Sequence, residues 1–196
     1  QTPMKSELTS RSETNSVAII GLAGRFPGAR DLTQFWENLC GGQESITFFP
    51  NQPTPKPAGP TAASPSQWVW ARGLLEEVEM FDAGFFGFSA PEAKWMDPQH
   101  RIFLELCHEA LEVAGYDPDR FGGWAGVYAG CDPSTYEPSA LRQAPRTPEE
   151  QFQILLLNGR DFLTTRVSYK LNLRGPSLDI QTGCSTSLVA VQVACQ

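Results

Sequence analysis

The chain has 196 residues with 15 Lys and Arg against 22 Asp and Glu, a formal net charge of −7. That length allows one substantial domain with a buried core, and an acidic balance without a basic stripe argues against nucleic acid as a partner. The longest apolar runs, such as residues 17–20 and 154–157, are too short to span a bilayer.

Residues 1–16 carry Ser, Thr and charges with almost nothing to bury and no apolar core of a signal peptide. They read as a linker from a preceding domain or as sequence added for expression. "VAIIGLAG" (residues 17–24) is a β-branched run bounded by glycine, which predicts a buried strand. "DLTQFWENLCGG" predicts a helix with Asp31 as N-cap and Gly41 and Gly42 as its stop, Phe35, Trp36 and Leu39 sharing one face. Residues 50–67 are dense in proline and predict a long surface loop.

A second helix is signalled from Asp97 to Gly115, with proline at its first position. Ile102, Phe103, Leu106, Ala110, Leu111 and Ala114 form a stripe at helical spacing along it. "WAGVYAG" (residues 124–130) is a short strand candidate. Thr147-Pro148-Glu149-Glu150 is a capping box opening a helix through Leu157. Residues 161–170 read as helical, and in "RGPSLDIQT" Leu178 and Ile180 alternate with Asp179 and Gln181, as in a strand. Strands alternate with helices, so the class is α/β.

Of five cysteines (Cys40, Cys107, Cys131, Cys184 and Cys195), none falls in CxxC spacing. Free thiols in a reducing, cytoplasmic setting are the expectation. Cys184 follows a strand at once and opens an apolar helical run, "CSTSLVAVQVACQ". At a helix N-terminus the unpaired amides and the macrodipole favour a thiolate. Gly183 beside it removes a side chain and permits close approach. The residues alone leave two readings open, a reactive nucleophile or a small buried hydrophobe. A G-x-S-x-G elbow is excluded, because its glycine positions are Thr182 and Thr186 here. With only His100 and His108 in the chain, zinc or any other metal site is not expected, and both histidines read as helix-surface or core-edge residues. No G-x-G-x-x-G or P-loop spacing supports nucleotide binding.

Read together, "VAIIGLAGRFPGA", "FWENLCGGQESI", "FDAGFFGFSAPEAKWMDPQHRIFLELCHEALEVAGYDP", "GVYAG" and "TTRVSYKLNLRGPSLDIQTGCSTSLVAVQVACQ" resemble the N-terminal part of a β-ketoacyl synthase, as found in modular polyketide or hybrid peptide/polyketide synthases. The resemblance assigns residues 17–196 to the N-terminal portion of a ketosynthase. It implies a thiolase-like fold, the N-terminal half of a five-layered α/β/α/β/α domain that forms a homodimer. It also implies that Cys184 is the catalytic cysteine. That residue would accept an acyl chain from the phosphopantetheine of an acyl carrier protein, and a malonyl-type unit would lose carbon dioxide and extend the chain. The phosphopantetheine belongs to the carrier, so no cofactor bound by this chain is implied. The implied partners are that carrier, the remaining ketosynthase half and adjacent synthase domains. The two histidines the family needs lie in motifs beyond Cys184, so neither His100 nor His108 fills that role. Gln181-Thr182-Gly183 stands where the family often has Asp-Thr-Ala. The retained cysteine favours chain extension over the loading variants, which carry glutamine. Because "CSTSLVAVQVACQ" is apolar nearly all round, it is expected to be buried. The chain therefore reads as a piece, inactive alone, with a non-catalytic dimerisation or docking element of a megasynthase as the alternative.

Overall fold

The computed structural model describes residues 16–50, 69–136, 142 and 147–196. All but residue 16 of the expected linker (residues 1–16), and all but residue 50 of the expected loop (residues 50–67), lie outside the described residues. The described residues fall into two compact units: those up to Leu22, Ala110–Pro133 and Gly159–Gln196 belong to the first, and those within Ala23–Glu109 and Ser134–Asn158 to the second.

The second unit begins with α1 (Leu32–Cys40), which starts where the sequence places it: the Asp31 carboxylate accepts from the Gln34 N–H at 2.8 Å. Gly41 caps its end and Gly42 follows in the left-handed region, at φ 63°. Phe35 stacks on Phe26 with ring centroids 4.0 Å apart, whereas Trp36 and Leu39 are exposed. Strands β1 (Ile46–Phe48) and β2 (Ala71–Gly73) pair antiparallel, Ile46 opposite Gly73.

Helix α2 (Ala90–Trp95) is opened by a reciprocal capping box, the Ser89 N–H donating to Glu92 Oε2 at 2.8 Å. It packs on α4 (Pro148–Asn158). Fully buried Asn158 ties the two together, its Nδ2 donating to the carbonyl of Trp95 at 2.8 Å and to that of Ile154 at 2.7 Å. The capping box of α4 forms as expected: the Glu150 N–H donates to Thr147 Oγ1 and the Thr147 N–H to Glu150 Oε2, both at 3.3 Å.

Helix α3 (Pro98–Val113) also has the expected bounds, with the Asp97 carboxylate accepting from the Gln99 N–H at 2.8 Å and Gly115 turning the chain at φ 80°. Its buried face differs from the expected stripe. His100, Arg101 and Leu104 are the buried residues, and His100 is 1% exposed. The surface or edge placement expected for His100 is therefore corrected: the first turns of α3 bury a polar face, with Arg101 Nη1 donating to the Glu79 carbonyl at 3.3 Å. His108 packs edge-on against Phe85, centroids 5.0 Å apart.

In the first unit the expected strand at residues 17–24 does not form. Its apolar side chains are exposed, Ile19 to 79%. A β-branched run becomes a strand only when another backbone pairs with it, and no described strand does. Instead Gly21 is pressed against the last turns of α3, where a Cβ would stand 2.5 Å from the Ala110 carbonyl oxygen. Strands β3 (Val127–Ala129) and β4 (Ser177–Asp179) pair in parallel, Val127 opposite Ser177. Parallel neighbours need a crossover, and α5 (Leu163–Lys170), entered through a 3₁₀ turn at Arg160–Phe162, packs on both strands. Leu163, Thr164, Val167 and Leu171 supply its buried face.

Candidate active site

The site is built where β4 ends. The Ile180 N–H donates to the Ala129 carbonyl at 2.7 Å, extending the parallel pairing by one bond. The chain then turns through Gln181 and Thr182 into a 3₁₀ turn, Gly183–Ser185, continuous with α6 (Thr186–Ala194). Cys184 sits in that first turn and is exposed. Amides in the first turn of a helix have no intrahelical acceptor and carry the positive end of the macrodipole. The open reading of Cys184 as a buried hydrophobe is thereby removed. Gly183 lies at φ 63°, a conformation that glycine adopts without strain, and a Cβ there would meet no protein atom within 4 Å, so no other backbone approaches it closely.

Four side-chain hydrogen bonds close the turn on itself. The Thr182 N–H donates to Thr186 Oγ1 at 3.0 Å, and Thr186 Oγ1 donates to the Gly183 carbonyl at 2.8 Å. Ser185 Oγ donates to the Thr182 carbonyl at 2.9 Å, with Thr182 Oγ1 3.0 Å away. The signal for this lock is local: a Thr-x-x-Ser-Thr run after a strand favours turns closed by side-chain hydroxyls. Close approach occurs at Gly130, at the end of β3: a Cβ there would stand 2.0 Å from the Ile180 carbonyl oxygen and 2.5 Å from Thr186 Cγ2. Beneath the turn, Thr164 donates to Asp179 twice, from N at 3.2 Å and from Oγ1 at 2.9 Å. Burial raises the Asp179 carboxyl above its ordinary range, those two hydrogen bonds opposing the shift and the Asp161 charge adding to it.

α6 packs on β3 through its covered residue Ala190, but Leu188 is 78% and Val191 62% exposed. Ala190 is buried and Val189 and Val193 half-buried, while the rest of this apolar helix surface is open to solvent. The other cysteines offer less. Cys107 is on α3, where burial pushes its thiol up to about 12; Cys40 and Cys195 are exposed near helix ends, and Cys131 is half-buried after β3. No two of the five cysteines are joined in a disulfide. A cavity of about 580 Å³ in the second unit, lined by Arg25, Phe26, Glu76, Phe81, Glu105 and others, includes no cysteine. No helix among the described residues is long and apolar enough to cross a membrane.

The chain around this turn can be compared with known families. The family model for the β-ketoacyl synthase N-terminal domain matches residues 14–196, and the chain belongs to that family. It is 47% identical to a phenolphthiocerol/phthiocerol polyketide synthase component of Mycobacterium tuberculosis, over 92% of this chain and 13% of that protein. It is 38% identical to polyketide synthase PksM of Bacillus subtilis, over 98% of this chain and 5% of that protein. Among solved structures, the ketosynthase from module 1 of the bacillaene synthase of Bacillus amyloliquefaciens superposes with a TM-score of 0.72 at 36% identity. That match covers 88% of this chain and 30% of the ketosynthase. Ketosynthase twelve of the same organism's bacillaene synthase gives 0.72 at 30% identity, over 91% of this chain and 29% of that one. The fold is thiolase-like, as in these ketosynthases, and the chain spans about a third or less of each relative.

Proposed function

We propose that Cys184 is the acyl-accepting nucleophile of a decarboxylative condensing enzyme in polyketide synthesis. The observation that carries this reading is an exposed thiol in the first turn of a helical run, on a turn held by its own hydroxyls, in a β-ketoacyl synthase chain. The Cys184 thiolate attacks the carbonyl carbon of an acyl thioester borne on the phosphopantetheine of an acyl carrier protein. A carbon–sulfur bond forms and the carbonyl oxygen takes the electron pair. The tetrahedral centre then collapses, expelling the carrier's thiolate, and nothing is oxidised or reduced. The backbone N–H of Cys184 is one donor for the developing oxyanion. In the second half-reaction a malonyl-type unit on a carrier thiol loses carbon dioxide, and its carbanion attacks the acyl-cysteine carbonyl; a carbon–carbon bond forms, the Cys184 thiolate is expelled, and a β-ketoacyl chain two carbons longer stays on the carrier.

Charge stabilisation in that second step comes from side chains other than this chain's histidines, because His100 is buried within α3's packed face and His108 is engaged by Phe85. Residues 1–196 alone are therefore expected not to condense. The chemistry requires a carrier protein bearing each thioester; adjacent synthase domains and a second copy of the same domain are the further partners proposed on the family resemblance. The test is peptide mapping of the intact gene product after incubation with an acyl thioester. Acyl mass on Cys184, lost in Cys184→Ala, is the expected result; acyl mass on Cys40, Cys107, Cys131 or Cys195 overturns the assignment.

A further inference from the structure

We propose that Thr186 is a positioning residue for the oxyanion donor of the acyl-transfer step, an inference that rests on Cys184 being the nucleophile. One hydroxyl links the two sides of the turn: the Thr182 N–H donates to Thr186 Oγ1, and Thr186 Oγ1 donates to the Gly183 carbonyl. Because Oγ1 is already an acceptor for Thr182, its own proton is directed at the Gly183 oxygen 2.8 Å away. The Gly183 carbonyl and the Cys184 N–H are the two ends of one planar peptide group. Fixing the carbonyl fixes the direction in which that N–H points. A peptide whose oxygen accepts a hydrogen bond is also polarised, and its N–H becomes a stronger donor. The relay thus runs from Thr182 through Thr186 to the amide that faces the developing oxyanion.

Two further contacts single out Thr186 over its neighbours. Its methyl lies against the end of β3, where an added Cβ on Gly130 would come within 2.5 Å of Thr186 Cγ2. A β-branched side chain is already stiff at χ1, and this contact holds the hydroxyl on the Gly183 side. Ser185 cannot take over, since its hydroxyl is engaged by the Thr182 carbonyl and Thr182 Oγ1. The Gly183 carbonyl also accepts from the Thr186 backbone N–H, so the hydroxyl adds a second bond from the same residue to the peptide of a glycine at φ 63°, a residue type with wide intrinsic freedom.

The test compares two reactions of the same thiol in the intact gene product. Acetylation of Cys184 by the acetyl thioester of N-acetylcysteamine passes through an oxyanion; alkylation by iodoacetamide does not. Removing an oxyanion donor outright costs about 10²–10³ in rate, and weakening one through its peptide should cost about ten-fold. Thr186→Val is expected to slow acetylation by about ten-fold while alkylation stays within about three-fold of wild type. Thr186→Ser, which keeps the hydroxyl, is expected to retain both rates within about three-fold. Thr186→Ala reads the same ratio should the valine variant fail to fold. Equal loss of both reactions, or loss of neither, overturns the proposal. Wild-type acetylation at another cysteine instead sinks the assignment of Cys184 itself, so the two failures are distinguishable.

Discussion

Replacing Gly130 with alanine measures how tightly β3 is pressed against the nucleophile turn. The added methyl would stand 2.0 Å from the Ile180 carbonyl oxygen, and contacts under 3.0 Å essentially never occur, so backbone must part from backbone by about 1 Å. No rotamer change relieves a clash between main chains. Overpacking of this kind costs about 1–3 kcal/mol, and stretching the neighbouring bond from Ile180 N–H to the Ala129 carbonyl adds about 0.5–1.5 kcal/mol. Together these come to roughly 2–4 kcal/mol, which converts to about 30- to 1,000-fold faster local opening. Hydrogen exchange of peptides covering residues 125–131 and 176–182, read by mass spectrometry in the intact gene product, reports that opening. Displacing the turn by about 1 Å should also cost about 10²-fold in acylation of Cys184. Alkylation should fall with it, unlike in Thr186→Val, because here the thiol itself moves. Exchange and acylation both within about three-fold of wild type would refute the reasoning.

At pH 8 the thiolate fraction of Cys107 is about 10⁻⁴, given a thiol pushed up to about 12. Iodoacetamide should therefore label exposed Cys40 at least about 100-fold faster, and comparable labelling rates would contradict the burial argument. A carboxyl raised in the folded state, as at Asp179, contributes stability that is fully present below its unfolded value of about 3.9 and is lost as pH rises through the folded value. Protection of the β4 amides, corrected for intrinsic exchange, should thus increase on acidification from neutral pH, and Asp179→Asn should flatten the trend; a wild-type decrease absent from the variant would reverse the sign. Ser89→Ala removes the reciprocal cap of α2 at a cost of about 1 kcal/mol, so exchange in that helix should quicken about five-fold, and no change would show that packing on α4 alone holds it.

Helix ends were the most legible part of the sequence, because a cap is an interaction between residues two to four apart. Asp31, Asp97, Thr147 and Gly115 each act as their local chemistry dictates. The Ser89–Glu92 box carries the same signal and went unused. Strands were less legible. Residues 17–24 have the composition of a strand and no described partner, whereas Ile46–Phe48 finds one across a long stretch of chain. Propensity is local and pairing is not. His100 misled for a related reason: two histidines on one helix give no sign of which face the tertiary structure will cover. The placement of Cys184 between a strand and a helical run was legible in the sequence. The role of Gly130 was not, since nothing in "YAGCD" says which backbone passes 2.0 Å from a missing methyl.

Every side-chain hydrogen bond that shapes the cysteine turn joins residues between Thr182 and Thr186. A turn folded by five consecutive residues behaves as a cassette. Exchanging that segment between related chains should transfer the geometry around Cys184 whole, with a glycine required at the end of the facing strand. Recombination breakpoints just before and just after the turn then leave its bonds intact, while a crossover inside it separates a hydroxyl from its acceptor. Engineers of hybrid assembly lines can accordingly treat this turn as a unit to be moved or left alone, never divided.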